Sequence, residues 1–162
     1  MRKLSIIDII IVKTEYKKKE SCIPKWIQID AKNMIVGRLA VFIANELRGK
    51  NTAVYTPHIC PKNKVIIINT DQIEFSGKKM SDKVYYHHTG YVGGIKGITA
   101  EKLKQKNSTL ILREAVRRML PDNKLRKEFL RNLYIYKNEE HKHKNHAAEI
   151  VSFNKIHKSH SI

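Results

Sequence analysis

The fold is decided by the stretch VIIIN, residues 65–69, a continuous run of β-branched residues that ends in asparagine. Such a run is typical of a strand buried on both faces of a parallel sheet. Upstream, WIQID at residues 26–30 predicts a second short strand with Ile27 and Ile29 on one face. A helix is predicted between them at about residues 37–48, and the order strand, helix, strand indicates a right-handed βαβ unit.

The predicted helix has an apolar stripe and a defined end. Leu39, Ile43 and Leu47 recur at every fourth position, which places them on one helical face. Gly49 follows, where a C-cap glycine belongs. Strands and helices that alternate in this way predict an α/β fold.

Helical patterning returns after residue 98. Thr99 is predicted to cap a short helix that runs to Lys106. A second helix is predicted to run to Leu120, where Pro121 stops it, and Asp122 is predicted to be the N-cap of a third. The third helix is expected to carry Leu125, Phe129 and Leu133, and residues 134–136 are expected to form the last strand.

The 162 residues suit one compact domain with extended ends. Residues 1–23 are interpreted as an N-terminal extension, and residues 24–137 as the α/β domain. Residues 138–162 are polar, basic and rich in histidine, so we expect them to form an extended tail.

The charge balance indicates the class of partner. The chain has 32 Lys and Arg residues against 15 Asp and Glu, a formal net charge of +17. An excess of this size repels itself unless a polyanion neutralises it. The apolar run at residues 6–12 is interrupted by Asp8 and is shorter than the roughly 20 residues needed to span a membrane. Nucleic acid is therefore the expected partner, and the lone thiols of Cys22 and Cys60 are interpreted as reduced.

Residues 76–98 mix glycine, lysine, tyrosine and histidine without a helical stripe, which predicts a long, ordered loop. Lysines supply phosphate contacts, aromatic rings can stack on unpaired bases at about 1–3 kcal/mol per base, and glycines let the backbone approach a sugar-phosphate chain. The alternative is a flexible surface loop with incidental aromatic residues. The residues predicted to contact RNA are Lys78, Lys79, Lys83, Tyr85, Tyr86, His87, His88, Gly90 and Tyr91, with Gly93, Gly94 and Gly97 beside them.

Two further basic clusters are predicted to bind RNA. The first comprises Arg38, Arg48, Lys50, Tyr55 and His58, and the second comprises Arg113, Arg117, Arg118, Lys124, Arg126, Lys127 and Arg131. The alternative for the first cluster is that its cations only interact favourably with the negative end of the helix dipole. The alternative for the second cluster is that Glu114 and Glu128 neutralise part of its charge, at about 0.3–0.5 kcal/mol per pair.

Metal, nucleotide and catalytic sites are not expected. The spacing of His141, His143 and His146, even with Cys60 or His58 added, matches no structural zinc pattern. The glycine-rich loop has neither nucleotide-binding spacing, and no spacing nominates a catalytic pair. We therefore expect no cofactor, no metal and no enzymatic activity. The enzymatic alternative is an RNA-processing enzyme with His87 or His88 as the general base.

Several strings resemble one known family. They are WIQIDAKNMIVGRLAVFIANELRGKN, YTPHIC, INTDQIEFSGKKMSDKVYYHHTGYVGG and AVRRMLPDNK, which together cover about residues 24–137. They are similar to the bacterial-type family of the large-subunit ribosomal protein "L thirteen". The resemblance implies a three-layer α/β/α fold with a mainly parallel sheet of about four strands. It also implies binding to large-subunit ribosomal RNA, with ribosomal proteins as neighbours. We expect neither a membrane nor a second copy of the chain as a partner.

The same resemblance carries RNA-facing positions onto this chain and adds Thr56 and Thr89 to the clusters above. The positions it implies are Arg38, Arg48, Lys50, Tyr55, Thr56, His58, Lys78, Lys79, Lys83, Tyr85, His88, Thr89, Gly90, Tyr91 and Lys124.

Departures from the bacterial pattern indicate the compartment. Arg126 stands where bacterial members usually have glycine, residues 58–63 lack the usual Asp-Cys-Gly-Asp turn, and the N-terminal segment is longer than is usual in bacteria. These features favour a mitochondrial ribosome over bacterial cytoplasm or a plastid. The remaining alternative is a regulatory RNA-binding protein that works away from ribosomes.

Overall fold

The computed structural model describes residues 24–53 and 55–151. The predicted N-terminal extension lies outside the described residues, as does the tail beyond residue 151. In chain order the elements are β1 (Trp26–Asp30), α1 (Val36–Arg48), β2 (Lys64–Ile68), a 3-10 turn (Thr70–Gln72), α2 (Lys79–Asp82), β3 (Val84–His88), β4 (Ile95–Thr99), α3 (Ala100–Met119), α4 (Leu125–Arg131), β5 (Leu133–Ile135) and β6 (Glu149–Val151).

The main sheet has four strands in the order β5-β2-β1-β6, and each neighbouring pair is parallel. The α/β class and the mainly parallel sheet are therefore confirmed. The last strand, β6, comes from the segment that the sequence analysis assigned to the tail, and its Ile150 pairs with Gln28 of β1. The tail thus supplies one edge of the sheet.

One hydrophobic core lies between the helices and one face of the sheet. Val65 and Ile67 of β2 join a buried cluster that includes Leu39 of α1, Leu112 of α3 and Phe129 of α4. Alternate residues of a strand point to opposite faces, and the intervening residues of β2 are buried as well. The prediction that β2 is buried on both faces is confirmed.

The second face of the sheet is covered by aromatic rings from the segment between β5 and β6. His146 stacks on Trp26 of β1 with ring centroids 3.8 Å apart, and His143 lies 4.4 Å from the ring of Tyr134. Lys64 places its ammonium group 4.4 Å from the Trp26 ring centroid. The histidines that were expected in an extended tail therefore pack on the sheet.

The helix boundaries follow local sequence signals. Gly49 ends α1 in the left-handed conformation with φ of 71°, as predicted. Thr99 caps α3, because its hydroxyl accepts a hydrogen bond from the Lys102 N–H. The two helices predicted on either side of residue 106 are one element with a break at Asn107, whose side chain accepts from the Thr109 N–H.

The start of α4 differs from the prediction. Asn123, rather than Asp122, accepts a hydrogen bond from the Arg126 N–H at 3.1 Å. Asp122 instead forms an ion pair with the Arg126 guanidinium at 2.9 Å. Leu133 belongs to β5 and not to the helix, because α4 ends at Arg131.

The segment predicted as a long loop contains a β-hairpin, so that prediction was wrong. Strands β3 and β4 pair antiparallel, with Tyr86 opposite Gly97 and His87 opposite Lys96. Gly97 makes this pairing close, because a Cβ there would lie 3.2 Å from the Tyr86 ring. Glycine in β4 concealed the strand pattern, since glycine is depleted in strands generally.

Candidate nucleic-acid interface

A groove of about 500 Å³ opens between the first turn of α1, helix α2, the start of β3 and the second half of α3. Four cationic side chains line it: Arg38, Lys79, Lys83 and Arg118. They come from all three clusters that the sequence analysis treated separately. The fold therefore brings into one groove cations that lie far apart in the chain.

The floor of the groove is apolar. Val41 of α1 and Met119 of α3 are each 46% exposed although they are large hydrophobic residues. Phe75 and Tyr85 also line the groove, and both are partly buried against the core. An apolar floor within a ring of cations fits a ligand that has both an uncharged flat part and negative charge.

Tyr85 connects the floor to the rim. The Lys83 ammonium group lies 5.4 Å from the centroid of the Tyr85 ring, within the range of a cation–π contact. Burial raises the pKa of the Tyr85 hydroxyl above its usual 10.0, and Glu114 raises this pKa further while Arg118 opposes the rise. The hydroxyl therefore stays protonated and able to donate a hydrogen bond at neutral pH.

The one acidic residue among those lining the groove is paired with a neighbouring arginine. Glu114 forms an ion pair with Arg117 at 2.9 Å, and the guanidinium also donates through Nε to both carboxylate oxygens. Arg117, whose binding to RNA stays a prediction, forms this pair at the exposed surface of α3. The four groove cations consequently give the groove a net positive charge.

The hairpin projects beside the groove and exposes its rings. Tyr86 is 69% exposed and Tyr91, in the turn, is 79% exposed. The hairpin is joined to the groove wall where the Ala100 N–H donates to the Lys83 carbonyl oxygen at 2.8 Å. Rings that are this exposed on a fixed support are suited to stacking on unpaired bases.

The hairpin turn is ordered by its own hydrogen bonds. The Thr89 N–H donates to the Gly94 carbonyl oxygen at 2.9 Å, and the Thr89 hydroxyl donates to the same oxygen at 3.1 Å. The Gly90 N–H donates to His88 Nδ1 at 3.0 Å. Gly94 is required here, because a Cβ at this position would overlap the Thr89 hydroxyl. The rings of the turn are thus held on a defined backbone.

The cluster at the end of α1 forms a separate patch. Arg48 donates to the Tyr55 hydroxyl at 2.9 Å, which holds both side chains half-buried. Lys50 is exposed, and Thr56 and His58 lie in the following turn. Arg38 lies about 15 Å away along α1, at about 1.5 Å per residue. The first predicted cluster is therefore divided between two surfaces.

The third cluster is also divided. Arg126 donates to the main-chain oxygens of Pro121 and Leu120 at 3.1 and 3.4 Å, so it caps the end of α3. Arg118 lines the groove. The remaining cations of the cluster are exposed on α3 and α4: Arg113, Lys124, Lys127 and Arg131.

Sequence reasoning missed the apolar floor of the groove. Val41 lies between Leu39 and Ile43 of α1 but off their stripe, and an apolar residue on the exposed face of a helix was the available signal. The described residues contain no group of three metal-ligating side chains. None of the helices in this part of the chain is long and apolar enough to cross a membrane.

A parallel α/β core that holds a basic, aromatic-lined groove and an exposed aromatic hairpin has the features expected of the nucleic-acid-binding class. Comparison with known proteins gives the family. The family model described as "Ribosomal protein L13" matches residues 24–142, and the chain belongs to this family.

Bacterial relatives match most of the chain. "Large ribosomal subunit protein uL13" of Wolbachia pipientis subsp. Culex pipiens is 43% identical over 143 residues, which are 88% of this chain and 94% of the relative. The protein of the same name from Neorickettsia sennetsu is 45% identical over 86% of this chain and 93% of its own length. That of Geobacter sulfurreducens is 45% identical over 80% and 91%.

Proposed function

We propose that this protein is a structural constituent of a large ribosomal subunit that binds large-subunit ribosomal RNA and acts without catalysis. The observation that carries the proposal is the groove that joins Arg38, Lys79, Lys83 and Arg118 beside an exposed aromatic hairpin. The relatives named as large ribosomal subunit proteins support it. Neighbouring large-subunit proteins would be its other partners.

The electrostatic part of the proposal is tested by salt. Each phosphate that a lysine or arginine neutralises releases a counterion, so binding to RNA weakens steeply as salt rises. We expect the affinity for a large-subunit RNA fragment to fall by at least about tenfold between 50 and 200 mM salt, roughly what two to three phosphate contacts on single strands would produce. An affinity that does not change with salt would contradict the proposal.

The contribution of the α2 region is tested by substitution. Replacing Lys78, Lys79 and Lys83 together by Ala should weaken RNA binding and flatten its salt dependence, while the circular dichroism spectrum stays unchanged. The matched control replaces three exposed lysines outside the predicted clusters, namely Lys25, Lys32 and Lys102. If the two triple variants lose affinity for RNA equally, the loss comes from the lower net charge of the protein, and the α2 region is not the binding site.

We further propose that the ribosome is mitochondrial. Arg126 and the long N-terminal segment support this compartment, whereas the relatives named above are bacterial. Purified mitochondria should contain the protein, and on a sucrose gradient it should sediment with large subunits. Recovery with bacterial or plastid large subunits would contradict the mitochondrial compartment but not the ribosomal function. Recovery away from ribosomes would favour a regulatory RNA-binding protein.

A further inference from the structure

We propose that the groove between α1 and α3 receives one unstacked nucleotide of the bound RNA, with its base on the apolar floor and its flanking phosphates on the cationic rim. This inference rests on the proposed function, because it specifies what the RNA-binding surface recognises. The cations of the groove alone would predict a site for phosphate, and the apolar floor adds a site for a base.

The size and composition of the floor support a base. The groove of about 500 Å³ lies within the range of small-molecule sites, about 300–1,000 Å³. Val41 and Met119 expose apolar area that the fold leaves uncovered, and Phe75 and Tyr85 add ring surface beside them. A phosphate gains nothing from such a floor, whereas the flat face of a base does.

The rim supports a nucleotide rather than an uncharged ligand. Arg38, the pair Lys79 and Lys83, and Arg118 come from three separate places in the chain, and all four line this groove. Glu114 is paired with Arg117, and the four cations of the lining outnumber this one acid. Positive charge around an apolar floor is complementary to an anionic backbone that carries an apolar base.

Gly37 provides a way to test the floor without changing any cation. It lies in the first turn of α1 and lines the groove. A Cβ added to Gly37 meets no heavy atom within 4 Å, and its φ is not in the left-handed region. A leucine at this position should therefore extend into the groove and fill part of it while α1 keeps its conformation.

The experiment compares two RNA hexamers that have the same phosphates. One is wholly abasic, and the other is abasic except for a single central adenine. Wild-type protein at low salt should bind the adenine hexamer about tenfold more tightly, because stacking is the only added contact. The Gly37→Leu variant should bind both hexamers with the affinity that wild-type protein has for the abasic one.

The matched control is Gln105→Leu, which adds an apolar side chain at an exposed position of α3 outside the groove. It should keep the tenfold preference. Thermal unfolding of both variants shows whether each is folded. A Gly37→Leu variant that is folded and keeps the full preference would overturn the proposal.

The remaining outcomes separate this inference from the proposed function. If wild-type protein binds both hexamers equally and in a salt-dependent way, the base site is wrong and the RNA-binding function stands. If neither hexamer nor the large-subunit fragment binds, the function itself fails. An acidic pentapeptide with a central phenylalanine is the third ligand. Stronger binding of this peptide than of the adenine hexamer, lost in Gly37→Leu, would make the groove a protein-docking site and overturn the proposal.

Discussion

At the scale of single residues, the cations of this chain divide between two tasks. The Arg126 guanidinium donates to two main-chain oxygens at the end of α3 and pairs with Asp122. The neighbouring Lys127 is exposed. The count of 32 Lys and Arg residues therefore overstates how many cations can directly contact an external polyanion.

Arg126→Ala should lower the free energy of unfolding by about 1–2 kcal/mol, because it removes the charged donor to the Leu120 carbonyl, at the C-cap of α3, and to the Pro121 carbonyl just beyond it. Lys127→Ala is the matched control and should leave stability within about 0.5 kcal/mol of the wild type. Urea unfolding of the two variants measures the difference. Equal stability of both would show that Arg126 has no capping role.

Gly94→Ala should disorder the turn of the hairpin, because the new Cβ would lie 2.8 Å from the main-chain oxygen of Tyr91 and would overlap the Thr89 hydroxyl. The Thr89 amide, which donates to the Gly94 carbonyl oxygen, should exchange with solvent faster by about tenfold or more. Hydrogen exchange followed by NMR gives this rate. Gly37→Ala is the control, since its Cβ meets open space, and it should leave the rate unchanged. An unchanged rate in Gly94→Ala would contradict the close contact.

The tasks of individual cations could not be predicted from sequence. Arg126 and Arg118 belong to one basic run, yet one caps a helix and the other lines the groove. The difference depends on where Pro121 turns the chain, which a charge pattern does not encode. The loop tyrosines were likewise predicted as one group, yet Tyr86 and Tyr91 are exposed whereas Tyr85 is partly buried against the core.

At the scale of elements, the segment between β5 and β6 forms a ring clasp, which we define as His143 and His146 on Trp26 and Tyr134, with His141 beside Tyr136. Partial burial lowers the pKa of His143 below 6.5, and the nearby His146, His141 and Lys64 lower it further. The clasp therefore favours a neutral His143.

The sign of the pH dependence follows from this shift. Below pH 6.5 an unfolded chain takes up a proton at His143 before the folded chain does, so stability falls as the pH drops through this window. The stabilisation from a neutral His143 is complete above pH 6.5. We expect the midpoint of the His143 imidazole resonances to lie below 6.5, as measured by NMR titration.

His143→Gln is the matched variant, because it keeps a polar side chain that does not titrate. Its thermal stability should fall less than that of the wild type when the pH drops from 7 to 5. Trp26 is the single tryptophan of the chain, so its fluorescence reports whether the clasp stays docked. A His143 midpoint at or above 6.5 would contradict the arrangement.

The elements whose apolar residues follow one clear pattern were predictable from sequence, and the elements without such a pattern were not. The stripe Leu39, Ile43, Leu47 and the run at residues 65–69 each carry one period, and both elements formed where expected. The hairpin strands alternate poorly, since β3 exposes nearly every residue and Gly97 interrupts β4. The clasp depends on rings that meet only after β6 pairs with β1, which no local pattern signals.

At the scale of the whole molecule, the excess of positive charge makes stability and RNA binding respond oppositely to salt. Cations that face a polyanion in the complex repel one another in the protein alone. Moderate salt screens this repulsion, because the Debye length shortens to about 8–10 Å near 0.1–0.15 M. The same screening weakens contacts with phosphate.

The melting temperature of the protein alone should therefore rise between 20 and 200 mM NaCl, while its affinity for RNA falls over the same range. Differential scanning fluorimetry and a binding titration in identical buffers measure the two trends. Sucrose, which leaves charge unscreened, is the control and should raise the melting temperature without reducing the affinity in parallel. A melting temperature that falls with NaCl would show that self-repulsion is not the dominant electrostatic effect.

The fold class was predictable from the chain as a whole, whereas the edges of the sheet were not. The βαβ order at residues 26–68 determined a parallel sheet. The fourth strand is only three residues long, Glu149–Val151, and three residues carry too little pattern to distinguish a strand from a coil. The domain predicted from sequence, residues 24–137, therefore ends before the last strand.

The strand order β5-β2-β1-β6 also has a consequence for the time course of folding. Ile27, near the start of the described chain, pairs with Glu149, near its end. On a ribosome that makes this chain from its N-terminus, β1 emerges early and one of its edges stays unpaired until the last segment is released. Non-local parallel pairing closes slowly, and an open strand edge promotes wrong association in the interval. The charge of the nascent chain, which repels other copies, would then act as its protection until β6 closes the edge.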